Sequence, residues 1–205
     1  MWGLEIEGEL KHSYCIFIGK SSVVTRRYPM AQLLLREALL KAHEIYGKDH
    51  LKYADCLQDY AFYLLNVDKV GLSVQAYEEA LQIRTDILGS HNLLVAKLYE
   101  ELAYATYVFE YSKGNFDKAE ERAELAIETM KTIIPSNHLM VASSQRVLAL
   151  VLEEIAIDLV SNNPTQQAKS NRMLARAEEL HLSAVKLTTK AFGEKNVQSA
   201  KHYGK

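Results

Sequence analysis

The sequence predicts an all-α protein, a helical solenoid of stacked antiparallel helix pairs. Three observations predict it. The 205 residues include only 3 Pro and 9 Gly, so helix-breaking residues are scarce. Four stretches, YGKDHLKYA, LGSHNLLVA, IPSNHLMVA and FGEKNVQSA, each open with an apolar residue and then a helix stop: Gly47, Gly89, Pro135 and Gly193. The same residue types return in register around each stop. His50, Asn92, His138 and Asn196 lie three positions on, Ala54, Ala96, Ala142 and Ala200 seven positions on, and Ala38, Ala80, Ala126 and Ala184 nine positions back. Such self-similarity marks a repeat array, because a two-helix unit buries its apolar face only by sharing it with neighbours.

The elements follow in order. Residues 1–29 stand outside the pattern. Their stretch HSYCIFIGKSSVVTRRYP has strand-like and loop-like character, so 1–29 is expected to be a divergent N-terminal segment open to disorder, and 30–205 the repeat array. Tyr28 to Tyr46 reads as a lone second helix whose first-helix partner is missing or altered. The first complete pair is KYADCLQDYAFYLLN, a break at VDKVG, and LSVQAYEEALQIRTDIL. The second is LLVAKLYEELAYATYVFEY, a break at SKGN, and FDKAEERAELAIETMKTII. The third is LMVASSQRVLALVLEEIAIDLV and RMLARAEELHLSAVKLTTKAF, with SNNPTQQAKSN between them. The stops are 42, 46 and 58 residues apart, and the surplus of the third interval is expected in a Ser161–Asn171 loop, where insertion is cheapest. Gly47, Gly89 and Gly193 fit left-handed C-caps. Asn196 onward reads as a new first helix, so the array is about three complete pairs and is incomplete at both ends. The recurring alanines mark close helix crossings, where a larger side chain would overpack.

Composition narrows the function. A formal net charge of −2, with Lys and Arg scattered, gives no field for nucleic acid. The longest apolar runs, such as Leu148 to Leu152, are far below a membrane span, and no targeting segment is evident. Cys15 and Cys56 read as reduced thiols. FIGKSS ends like a phosphate-binding loop, but Tyr14 stands where that motif needs its first glycine. His50, His91 and His138 fall in successive turns without metal-ligand spacing and read as capping or solvated residues. Glu153, Glu154 and Asp158 read as a solvated face, and Ser143 and Ser144 have no supporting histidine motif. Neither an enzyme nor a cofactor or metal site is expected. Binding of protein partners is the better reading, and the dense aromatics Tyr104, Tyr107, Phe109 and Tyr111 of YEELAYATYVFEY suit it.

The helix pairs resemble tetratricopeptide repeats of the long kinesin-light-chain type. NFDKAEERAELAIETM matches the second-helix pattern, with Phe116, Ala119 and Ala126 in its aromatic and small slots. A more specific resemblance covers the chain from Leu34 to its end, through YADCLQDYAFYLLNVDKVGLSVQAYEEALQIR, ELAYATYVFEYSKGNFDKA, VLALVLEEIAID and KAFGEKNVQSAKHYG. These stretches are similar to a family of tetratricopeptide substrate receptors of cullin-RING ubiquitin ligases, of the cullin-two type. The family continues past AKHYG, so the resemblance implies a partial chain. It also carries an upstream segment that docks on elongins B and C and a cullin, which nothing here matches. The family implies recognition of C-terminal tails of Arg-x-x-Gly type. It further implies links to the amyloid precursor protein tail, microtubules and transport, and a cytoplasmic location with nuclear, cytoskeletal or membrane association. The alternatives are a kinesin-light-chain-like cargo adaptor and a scaffold that reads no peptide.

The repeat family implies which side chains face its concave groove: first-helix positions 2, 6, 9 and 13. Counting Ala54 and Ala96 as position 1 selects Asp55, Asp59, Phe62 and Asn66, then Lys97, Glu101, Tyr104 and Val108. Asp59 and Glu101 are expected to attract an arginine, Lys97 a terminal carboxylate, and Phe62 and Tyr104 to pack on the peptide.

Overall fold

A computed structural model describes residues 2–159 and 163–200, with side chains described from residue 13 onward except at 198 and 199. Two compact units divide the chain, Met1–Gly89 and Ser90–Lys205, called units 1 and 2 below.

Unit 1 holds α1 (Trp2–Val24), α2 (Tyr28–Tyr46), α3 (Leu51–Asn66) and α4 (Val70–Leu88). α1 corrects the strand-and-loop expectation for 1–29 and supplies α2 with a first-helix partner. Burial explains the reversal. Cys15, Gly19, Ser22 and Val23 recur at helical spacing and are covered, so packing overrides the local preference of the Ile and Val residues. A Cβ on Gly19 would lie 2.8 Å from Leu35 Cδ2, so this glycine serves close helix packing and the GKS sequence lies within a helix. Ala31, Leu35, Ala38 and Ala42 form the buried stripe of α2. Val23, Ala31, Leu35, Tyr63 and Leu64 make one core cluster, flanked by Tyr28, Tyr60, Val67 and Ala76. The Ser73 hydroxyl donates to the Ala61 carbonyl at 2.8 Å and ties α4 to α3.

Unit 2 holds α5 (Leu93–Glu110), a 3-10 turn (Tyr111–Lys113), α6 (Asp117–Ile133), α7 (Leu139–Asp158), α8 (Pro164–Phe192) and α9 (Val197–Ala200). One of its core clusters joins Ala103, Ala123 and Ile127 to Val147, Leu148, Ala149, Leu152 and Ala177. The expected Ser161–Asn171 loop is corrected in part: from Pro164 onward it is helix, capped by Asn163, whose Oδ1 accepts from the Thr165 amide at 2.9 Å. Proline at the first turn costs no hydrogen bond there.

The alanine register is a packing register. Ala38, Ala80, Ala126 and Ala184 are at most 1% exposed, and Ala54, Ala96 and Ala142 are fully covered. A further set, Ala61, Ala103 and Ala149, is equally covered and recurs fourteen positions after the stops. The stops differ in detail from the left-handed caps expected. Gly47, Gly89 and Gly193 have φ of 81°, 76° and 82° with ψ of 174°, 160° and 164°, a positive-φ extended state that is essentially reserved for glycine. Their amides still close the helix, donating to the carbonyls of His43, Thr85 and Thr189. Next comes a side-chain N-cap: His50 Nδ1 accepts from the Lys52 amide, Asn92 Oδ1 from Leu94 and His138 Nδ1 from Met140. An unprotonated imidazole nitrogen thus takes the place of the usual Asn or Ser oxygen.

Candidate functional site

Each unit offers a face built from neighbouring first helices. In unit 1 these are α1 and α3. Asp55, Asp59, Phe62 and Asn66 recur at helical spacing along α3, yet they meet different surroundings. Asp55 accepts from Arg84 Nη2 at 2.7 Å, and Arg84 also donates to Gln58 Oε1 at 2.6 Å. Arg84 is 4% exposed, so Asp55 serves a buried cation of its own helix pair. Asp59 is paired with Lys20 of α1 at 2.8 Å. Burial pushes the Asp59 carboxyl above its usual range, and Lys20 acts in the opposite direction. Phe62 is exposed, and Asn66 donates to the Phe62 carbonyl at 2.8 Å while facing solvent.

In unit 2 the neighbours are α5 and α7. Lys97 and Glu101 lie 3.8 Å apart on successive turns, with Lys97 about half exposed. Tyr104 lies at the margin of exposure, and Val108 is half-buried. Tyr104 leads into a run of rings through Tyr107, Tyr111 and Phe116, with centroids 5.7 to 6.3 Å apart. Tyr107 donates to Glu154 Oε1 at 3.2 Å, and burial together with that carboxylate pushes its hydroxyl pKa well up. Phe109 carries Lys113 over its ring at 4.5 Å.

Sequence reasoning missed Glu100. Its Oε1 accepts from Ser143 and its Oε2 from Ser144, the latter at 2.9 Å, so one carboxylate fastens α5 to α7. Burial pushes that carboxyl up, and the two hydroxyls oppose the shift. The available signal was positional: Gln58, Glu100 and Arg146 each lie four residues after a register alanine. Missed too were Lys20 and Arg84, whose partners lie in other helices. Cys15 and Cys56 are buried thiols outside any disulfide, and burial pushes the Cys56 thiol up to about 12.

Other chemistry is thin. Among the described residues no group of three His, Cys, Asp or Glu is placed to hold a metal ion. Among them also, no helix is long and apolar enough to cross a membrane. A shallow depression of about 330 Å³ is lined by Pro29, Leu33, Arg36, Glu37 and their neighbours, all from α2.

Comparison with known proteins agrees with the repeat reading. No protein-family model matches the chain. Over 185 residues, 90% of the chain, it is 50% identical to amyloid protein-binding protein 2 of Rattus norvegicus and, equally, of Mus musculus. The chain spans 31% of the length of these relatives. Among solved structures, BtubC (BKLC) of P. vanneervenii superposes with a TM-score of 0.66 at 17% identity, over 86% of this chain and 65% of that one. A Podosopora anserina protein described as a kinesin light chain with nearly identical TPR-like repeats gives 0.61 at 17% identity, over 88% and 96%. The fold is therefore all-α and tetratricopeptide-like.

Proposed function

We propose, from the 50% identity with amyloid protein-binding protein 2, that this chain is the peptide-reading part of a cullin-RING ubiquitin ligase substrate receptor. It binds C-terminal tails of Arg-x-x-Gly type and performs no catalysis of its own. That identity is the observation that carries the reading, and the side chains left open on the first helices, Phe62, Lys97 and Tyr104, support it. Lys97 offers a point charge for the terminal carboxylate, Glu101 a carboxylate for the arginine, and the aromatics a surface for the peptide backbone. Asp59 and Asp55 contribute only once their present cations yield. We assign docking on elongins B and C and a cullin to parts of the receptor outside the matched third. Links to the amyloid precursor protein tail, microtubules and transport, and a cytoplasmic location, belong to the same reading.

The test is fluorescence polarisation of the chain with a peptide ending in Arg-x-x-Gly, against the same peptide amidated at its C-terminus. Binding that is lost on amidation and on Glu101→Lys supports the reading. Equal binding of both peptides favours a kinesin-light-chain-like adaptor of internal motifs. No binding by the folded chain leaves a scaffold that reads no peptide.

A further inference from the structure

The ion pair between α1 and α3 is lopsided. The Asp59 side chain is 13% exposed, whereas that of Lys20, which reaches it at 2.8 Å, is 56% exposed. The charged groups facing Asp59 are Lys20 from α1, Asp55 on its own helix and Arg84 from α4. Arg84 is held by Asp55 and Gln58, so Lys20 is the cation that answers Asp59. Lys20 rises from the open side of α1 between Phe17 and Val24, which are 70% and 75% exposed, and Phe62 lies one turn beyond Asp59 on α3. A flexible ammonium stem in such a setting can be exchanged. A lysine binds a carboxylate as a point charge, whereas an incoming guanidinium binds it through a planar fork and is more weakly hydrated.

We propose that α1 masks the recognition face of α3, with Lys20 occupying the carboxylate that a partner's arginine would engage. The face opens when Lys20 swings to solvent and the arginine takes its place on Asp59. The inference rests on the tail-reading function above and adds a built-in competitor to it.

Two measurements on the full chain test the mask. The first is polarisation binding of a labelled peptide ending in Arg-x-x-Gly to the chain and its Lys20→Met variant, which keeps the aliphatic stem and drops the charge. Lys20→Met is expected to tighten binding roughly fivefold, because a masked fraction no longer reduces the apparent affinity. Asp59→Asn in the same background removes the gain. The second uses the unaltered chain and so does not depend on how a variant folds. The rate of Lys20 acylation by an amine-reactive probe, read by mass spectrometry, is expected to rise when the peptide is added. A peptide that binds without changing Lys20 reactivity, and equally well to Lys20→Met, overturns the mask and leaves the tail-reading function standing. Absence of binding by chain and variant alike overturns both.

Discussion

The two units join their first helices by different chemistry. In unit 1, α1 and α3 meet through the part-exposed pair of Lys20 and Asp59. In unit 2, α5 and α7 meet through the half-buried carboxylate of Glu100, held by two serine hydroxyls. The alanine slots are alike in both units and nearly all at zero exposure. The fold therefore constrains backbone approach strictly and leaves the fastening free to vary. That freedom lets neighbouring repeats present different chemistry to a partner without changing how they stack.

The comparison breaks most severely in the cores. Leu35→Ala in unit 1 and Leu102→Ala in unit 2 each remove a side chain at most 1% exposed, and each is expected to cost about 2–5 kcal/mol in urea denaturation. Next come the shared slots. Ala80→Leu and Ala126→Leu should each destabilise by about 1–3 kcal/mol through overpacking, with hydrogen exchange accelerated in the unit that carries the change. Unchanged melting of either variant would remove the register argument. The caps come third. His50→Ala and His138→Ala should cost about 1 kcal/mol each, and His→Asn at either position should restore it.

The smallest effect sharpens the contrast in fastening and is read as a pH profile. The Glu100 carboxyl is raised above its ordinary 4.5 in the folded chain, so the folded state holds that proton more tightly than the unfolded state does. Its contribution is fully present below pH 4.5 and is lost as pH rises through the folded-state value. Glu100→Gln should flatten that decline in stability-versus-pH measurements. Asp59→Asn should do the same from its lower starting point of 3.8.

Much of the fold was legible because alanine and glycine act through backbone geometry, which a repeat must copy. The pairs from α3 to α7 begin and end close to where the stops and caps put them. α1 was not legible: its Ile, Val and Ser content favours strand or loop locally, and only the covered face against α2 decides for helix. The candidate positions on α3 and α5 were legible as a helical stripe, but their partners were not. Asp59 and Asp55 are answered by Lys20 and Arg84 from other helices, and nothing at positions 55 or 59 announces a cation that arrives from elsewhere in the fold. Glu100 escaped for the same reason.

The long third interval carries a rule about insertions. In unit 1 the serine–carbonyl tie joins Ser73 to Ala61. In unit 2 it joins Ser170 to Ala156, seven residues farther from the register alanine on each helix. Seven residues are nearly two turns and rotate a helix face by only about 20°. On both helices of the pair the tie has therefore moved by the same seven positions, and the faces that meet have stayed in phase. A repeat can thus carry extra length while its buried stripes still face each other, whereas a shift out of step with the helical repeat would turn one stripe away from its partner.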